Sequence, residues 1–103
     1  MKQNIHGKVK EVSGHGGGSY GIKYVNMVLS YSDLKNYLNN GNVAIIHATG
    51  HIMACVSYSN GKYLVLDSYP SSNRGTSNGY AWKTEQEMNK LLANKEFHII
   101  GKK

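Results

Sequence analysis

Three short apolar runs, at about residues 43–47, 51–58 and 62–67, follow one another with only the triplets Ala48-Thr49-Gly50 and Ser59-Asn60-Gly61 between them. Short β-branched and aromatic runs punctuated by glycine-bearing turns read as a three-stranded antiparallel meander. The middle run, "HIMACVSYS", is mostly apolar on both of its alternating faces. It is therefore expected to be a central strand, covered on two sides.

The flanking segments extend this meander into a small α+β unit. "GKVKEV" reads as a strand anchored by Val9 and Val12, and "IKYVNMVLS" (22–30) as a second extended segment. "SYSDLKNYLNNG" reads as a helix capped by Ser30 or Ser32, with Leu34 and Leu38 sharing a face, Tyr31 beside them and Gly41 as the stop. "YPSSNRGTSNGYAW" is a long polar loop returning to the anchors Tyr80 and Trp82. "TEQEMNKLLANKE" (84–96) is a helix opened by a Thr84–Glu87 capping box, with Met88, Leu91 and Leu92 as its apolar stripe. "FHIIGK" closes the chain as a strand. The fold class expected is α+β: an antiparallel sheet of about five or six strands with two short helices. A length of 103 residues is expected to make one domain, residues 1–103.

Composition narrows the partners. Lys and Arg number 12 against 6 Asp and Glu, a net charge of +6, so anionic partners are favoured: an acidic protein, an anionic polymer or nucleic acid. No apolar stretch approaches membrane-spanning length, so no membrane insertion is expected. The N-terminus lacks an apolar signal core, and the expected location is the cytoplasm, or the cell wall if the chain belongs to a larger exported enzyme. No cofactor is called for. "GHGGGSYG" (14–21) lacks the spacing of a phosphate-binding loop and reads as a flexible loop. A single cysteine rules out an internal disulfide and a cysteine-based metal cluster.

That cysteine, Cys55, lies four residues beyond His51, and the pair raises the question of a thiol hydrolase. On a regular strand the two share a face but stand about 13 Å apart, far beyond the roughly 3 Å of a nucleophile–base contact. Mid-strand and far from any helix N-terminus, Cys55 is expected to be a core residue with a raised pKa. Read as a three-residue loop, Ala48-Thr49-Gly50 pairs His47 with His51, Ile45 with Met53 and Val43 with Cys55. The second turn is ambiguous. A three-residue loop pairs Met53 with Asp67 and puts Asp67 on the face of His51; a two-residue Asn60-Gly61 turn puts it on the other.

The stretch "YSDLKNYLNNGNVAIIHATGHIMACVSYSNGKYLVLDSY" resembles the C-terminal half of the papain-like bacteriocin-processing peptidases and their relatives. Such domains are similar in showing a helix, "L..G.PVI", a turn, "GH" opening a strand, a "dGkY" hairpin and a "vnDP" end. The resemblance covers about residues 19 to 92. It implies a papain-like half-fold in which His51 is the general base and Asp67 its orienting carboxylate. Ser68 stands where the family usually has proline. The family carries its nucleophilic cysteine at the start of an N-terminal helix, shortly after an oxyanion glutamine. Residues 1–20 hold no cysteine, Gln3 precedes nothing able to attack, and neither Ser13 nor Ser19 is placed beside His51.

Three roles for His51 stay open on the sequence: a turn histidine bonded to backbone, the base of a residual dyad, or a zinc ligand with His47 and Asp67, for which no HExxH-type spacing is present. No metal site is assigned. His98 reads as a solvent or edge residue, as do His15 and the terminal His6. Binding is assigned to His47, Tyr69, Arg74, Tyr80 and Trp82, where rings and a cation suit an acidic protein or a nucleic-acid groove. Two functions follow. One is a papain-like peptidase-family domain without its own nucleophile, inactive alone and acting through binding, with an apolar sheet face covered by a protein partner or by self-association. The other is a stand-alone phage or mobile-element inhibitor of a bacterial protein or nucleoprotein, of the anti-CRISPR kind.

Overall fold

Residues 22–102 are described by the computed structural model. The expected N-terminal strand, the glycine loop, His6 and His15 lie outside them. Among the described residues six strands form one antiparallel sheet: β1 (Ile22–Val28), β2 (Val43–Ala48), β3 (His51–Ser59), β4 (Lys62–Leu66), β5 (Tyr80–Thr84) and β6 (Phe97–Lys102). Among the described residues two helices, α1 (Tyr31–Asn39) and α2 (Glu85–Leu91), join the sheet in an α+β architecture. The strand order is β1-β6-β2-β3-β4-β5, so the last strand runs through the sheet between β1 and β2.

The helices form where their sequences cap them. Ser30 accepts a hydrogen bond from the Asp33 amide at 3.1 Å, and Gly41 leaves α1 with φ of +88°, a region that glycine enters freely. At α2 the capping box is complete: the Thr84 side chain accepts from the Glu87 amide at 3.2 Å, and Glu87 accepts from the Thr84 amide at 2.8 Å. That backbone N–H holds the Glu87 carboxyl below its ordinary pKa. Thr84→Ala is expected to lower stability by about 1 kcal/mol, read from urea unfolding midpoints.

Tyr31, Leu34, Leu38 and Met88 pack on one sheet face, against Ala44, Ile46, Met53, Cys55, Tyr63, Val65, Phe97 and Ile99. At its centre the Tyr31 ring lies 5.3 Å from Phe97 and 5.6 Å from Tyr63. The Tyr31 hydroxyl donates to Asn89 Oδ1 at 2.7 Å and so ties the two helices together.

Several expectations are corrected. The first turn has two residues, not three: Ala48 pairs with His51, His47 with Ile52, Ile46 with Met53 and Ala44 with Cys55. The one-residue shift moves His47 to the face opposite His51, because side chains alternate along a strand. Helix α2 stops at Leu91 rather than at residue 96. Leu92 is extended and bridges Ala48, and the Ala93 amide donates to the His47 carbonyl at 2.8 Å, so the chain leaves the helix to bond with the end of β2. The segment 69–82 is not all loop, since its end forms β5, paired with β4 from Lys62↔Thr84 to Leu66↔Tyr80.

His98 is neither at an edge nor in solvent. It is 4% exposed in β6, with the Tyr24 ring 6.3 Å from its own. Strand β3 is central, as expected, but α1 and α2 cover one face only. Ile52, Ala54 and Val56 on the other face are half-buried, and beyond them Leu66, Tyr80 and Trp82 are exposed.

Candidate functional site

The site grows out of a hairpin that solves a parity problem. Asn60 and Gly61 both take positive φ, 52° and 79°, and Ser59 pairs with Lys62, so the second turn is the two-residue, left-handed kind. Continued without interruption, this pairing would set Asp67 opposite Ala54, on the wrong face for His51. A bulge between Cys55 and Ser57 absorbs one residue, Val56, and resets the register to Cys55↔Val65 and Ala54↔Leu66. The next position along is Met53 opposite Asp67. Turn and site are thus both satisfied, by a device that has no marker in the sequence.

Asp67 sits just beyond β4, with its side chain fully buried. Its Oδ1 faces His51 Nε2 at 2.6 Å and accepts from the Tyr69 amide at 2.9 Å. Its Oδ2 accepts from Arg74 Nε at 2.9 Å and from the Thr76 hydroxyl at 2.6 Å. Burial alone would push the carboxyl upward. The hydrogen bonds from Thr76, Arg74, His51 and the Tyr69 amide overcome it, and the pKa falls well below the usual carboxylate range.

The loop that supplies these donors is tied to itself. The Thr76 amide donates to the Ser71 carbonyl at 2.9 Å, and the Ser71 amide donates to Thr76 Oγ1 at 3.1 Å. Arg74 Nη2 donates to the Tyr69 carbonyl at 2.5 Å. Gly75 closes the short helical turn Ser72–Arg74 with φ of +70°, and the Asp67 amide donates to the Gly79 carbonyl at 2.8 Å where the loop returns to β5.

An ionised carboxylate only accepts, so the proton between His51 and Asp67 belongs to His51 Nε2. Neutral His51 then carries its lone pair on Nδ1, and no hydrogen bond from the described residues occupies that atom. The side chain is 17% exposed, with the Tyr69 ring 6.3 Å away. Such an imidazole, oriented from behind by a buried carboxylate, is able to take a proton from a group placed against Nδ1.

Of the residues singled out in the sequence, His51, Asp67, Tyr69 and Arg74 come together here. Tyr80 and Trp82 do not, since they project from β5 on the half-exposed face, paired with Leu66 and Leu64. His47 is across the sheet, with Asn94 Nδ2 3.3 Å from its Nδ1, and the proposed zinc set of His47, His51 and Asp67 is broken by the register. Among the described residues no group of three metal-ligating side chains is found. Thr76, fully buried, was missed: nothing in "NRGTSNG" marks one hydroxyl among several polar loop residues as a carboxylate's partner.

Cys55 is fully buried in the core, and burial pushes its thiol up to about 12, against a weaker opposing hydrogen bond from the Ser57 backbone. No helix among the described residues is long and apolar enough to cross a membrane. No family model matches the chain, and neither a curated protein nor a solved structure matches it.

Proposed function

We propose that this chain is a papain-like, peptidase-type half-domain that holds the base and its orienting carboxylate, performs no thiol chemistry alone, and works by binding a protein partner. The observation that carries the reading is the His51–Asp67 contact of 2.6 Å, backed by Arg74 and Thr76, in a chain whose one cysteine is locked in the core. A dyad without a nucleophile cannot form an acyl-enzyme. The half-exposed apolar face carrying Ile52, Ala54, Leu66, Tyr80 and Trp82 supports a role in docking, either to a partner or to a second copy.

The test combines a thiol reagent with a substrate screen. Iodoacetamide at neutral pH is expected to leave Cys55 unlabelled in the native chain and to label it fully in denaturant, because only the thiolate attacks. Fluorogenic peptides are expected to stay intact. Hydrolysis above background that disappears in His51→Ala, or rapid native labelling of Cys55, would overturn the reading.

A further inference from the structure

Beside the Asp67 site lies a small polar groove of about 380 Å³ between the Ser72–Gly75 turn, the end of β5 and α2. Its cations are Arg74, Lys83 and Lys90, and Ser72 and Asn73 also line it. The Lys83 ammonium rests against Gly75 so closely that any side chain at position 75 would run into it. Neither Lys83 nor Lys90 has a hydrogen bond or ion pair among the described residues. The one carboxylate lining the groove, Glu87, accepts from the Thr84 amide through Oε1 and lies in the field of Lys83, so it offsets one of the three positive charges. Three cations thus line one opening against a single lining carboxylate, and this surplus of positive charge is complementary to an anion.

Two features decide which anion. The cations are gathered at one spot, whereas a nucleic-acid backbone needs them repeated along a track. The exposed rings of Tyr80 and Trp82, on which bases would stack, alternate with Lys83 along β5 and so project from the opposite face of the sheet.

We propose that this groove seats an acidic segment of the protein partner, with Asp or Glu side chains entering between Lys83, Lys90 and Arg74. The proposal rests on the binding role argued above and names the chemistry of what is bound. Arg74 links the groove to Asp67, so the bound segment lies alongside the His51 site.

The test titrates the isotopically labelled chain with a hexaglutamate peptide and follows its amide resonances. Saturable shifts are expected at Ser72–Gly75, Lys83 and Lys90, with none on adding hexaglutamine. Lys83→Gln/Lys90→Gln is expected to weaken binding tenfold or more. Lys23→Gln/Lys35→Gln removes the same charge from β1 and α1 and is expected to weaken it less than twofold. Equal weakening in both variants would reduce the effect to net charge and overturn the proposal. So would absence of saturable shifts in the groove, or tighter binding of a single-stranded oligonucleotide to the same residues. Mass analysis of the recovered peptide separates the two levels: cleavage would sink the binding-only role, whereas an intact peptide that leaves the groove unshifted sinks the groove alone.

Discussion

Replacing Asp67 by alanine is expected to lower the stability of the domain by about 3–5 kcal/mol, because it removes a buried acceptor from one buried and three partly buried donors at once. The Arg74 guanidinium loses its carboxylate, the Thr76 hydroxyl and Tyr69 amide lose their acceptor, and His51 loses its orienting partner. Small domains have only about 5–15 kcal/mol in total, so the melting temperature should fall by roughly 12 °C or more. Asp67 also sets the acid limit. Its folded pKa is lowered relative to an unfolded value of about 3.9, so its contribution is complete above about pH 4 and is lost as pH falls toward the folded pKa.

Urea unfolding of the wild type at pH 7, 4, 3 and 2 should therefore show a steep decline below pH 4. Asp67→Asn, which keeps the shape but cannot ionise, should start lower and decline less over the same range. Long-range ¹⁵N spectra of His51 should report the Nε2–H tautomer in the wild type and a mixture in Asp67→Ala. An alanine variant within 1 kcal/mol of wild type and with an unchanged acid profile would mean that the carboxylate is not the hub described.

The second large effect is expected at Phe97. The ring is fully buried in β6, a strand with neighbours on both sides, and it packs 5.3 Å from Tyr31 of α1. Phe97→Ala should cost about 3–5 kcal/mol, from lost burial and from the cavity left beneath the helix. Phe97→Leu should cost clearly less, since it keeps most of the volume. Both are read from urea midpoints at constant m-value. A loss below about 1 kcal/mol for the alanine variant would place the ring outside the core.

Phe97 also shows how local patterning and tertiary placement divide. That "FHIIGK" is a strand follows from its β-branched and aromatic content. That it inserts between β1 and β2, burying His98 along with Phe97 and Ile99, depends on a pairing across more than fifty residues that leaves no local trace. The sequence accordingly reads His98 as a solvent or edge residue. β5 went unread for a different reason. Its five residues run directly into the Thr84 cap, so the alternation of Tyr80, Trp82 and Thr84 is too short to stand apart from the loop before it and the helix after it.

The capping signals, by contrast, were fully legible. Ser30, Gly41 and the Thr84–Glu87 pair act within four residues of themselves, where steric and hydrogen-bonding preferences are settled by sequence alone. The candidate site was half legible in the same sense. His51 after a glycine turn and Asp67 at the end of the meander stood out as residues, as did the unsuitability of Cys55 as a nucleophile. Arg74 and Tyr69 were singled out on charge and aromatic character, but for binding rather than for holding a carboxylate.

What the sequence by itself determined is local: the apolar runs that make strands, the glycines and caps that end them, and the basic balance that favours anionic partners. What only the tertiary structure decided is register. One residue more or fewer in a turn moves every side chain of a strand to the other face, and the energies separating the two registers lie in contacts made elsewhere. The Thr49-Gly50 turn separated His47 from His51, and the bulge at Val56 brought Asp67 round to meet it. Those shifts hold the imidazole and the carboxylate together because the core face of the sheet has to bury Met53, Cys55, Tyr63 and Val65 at once.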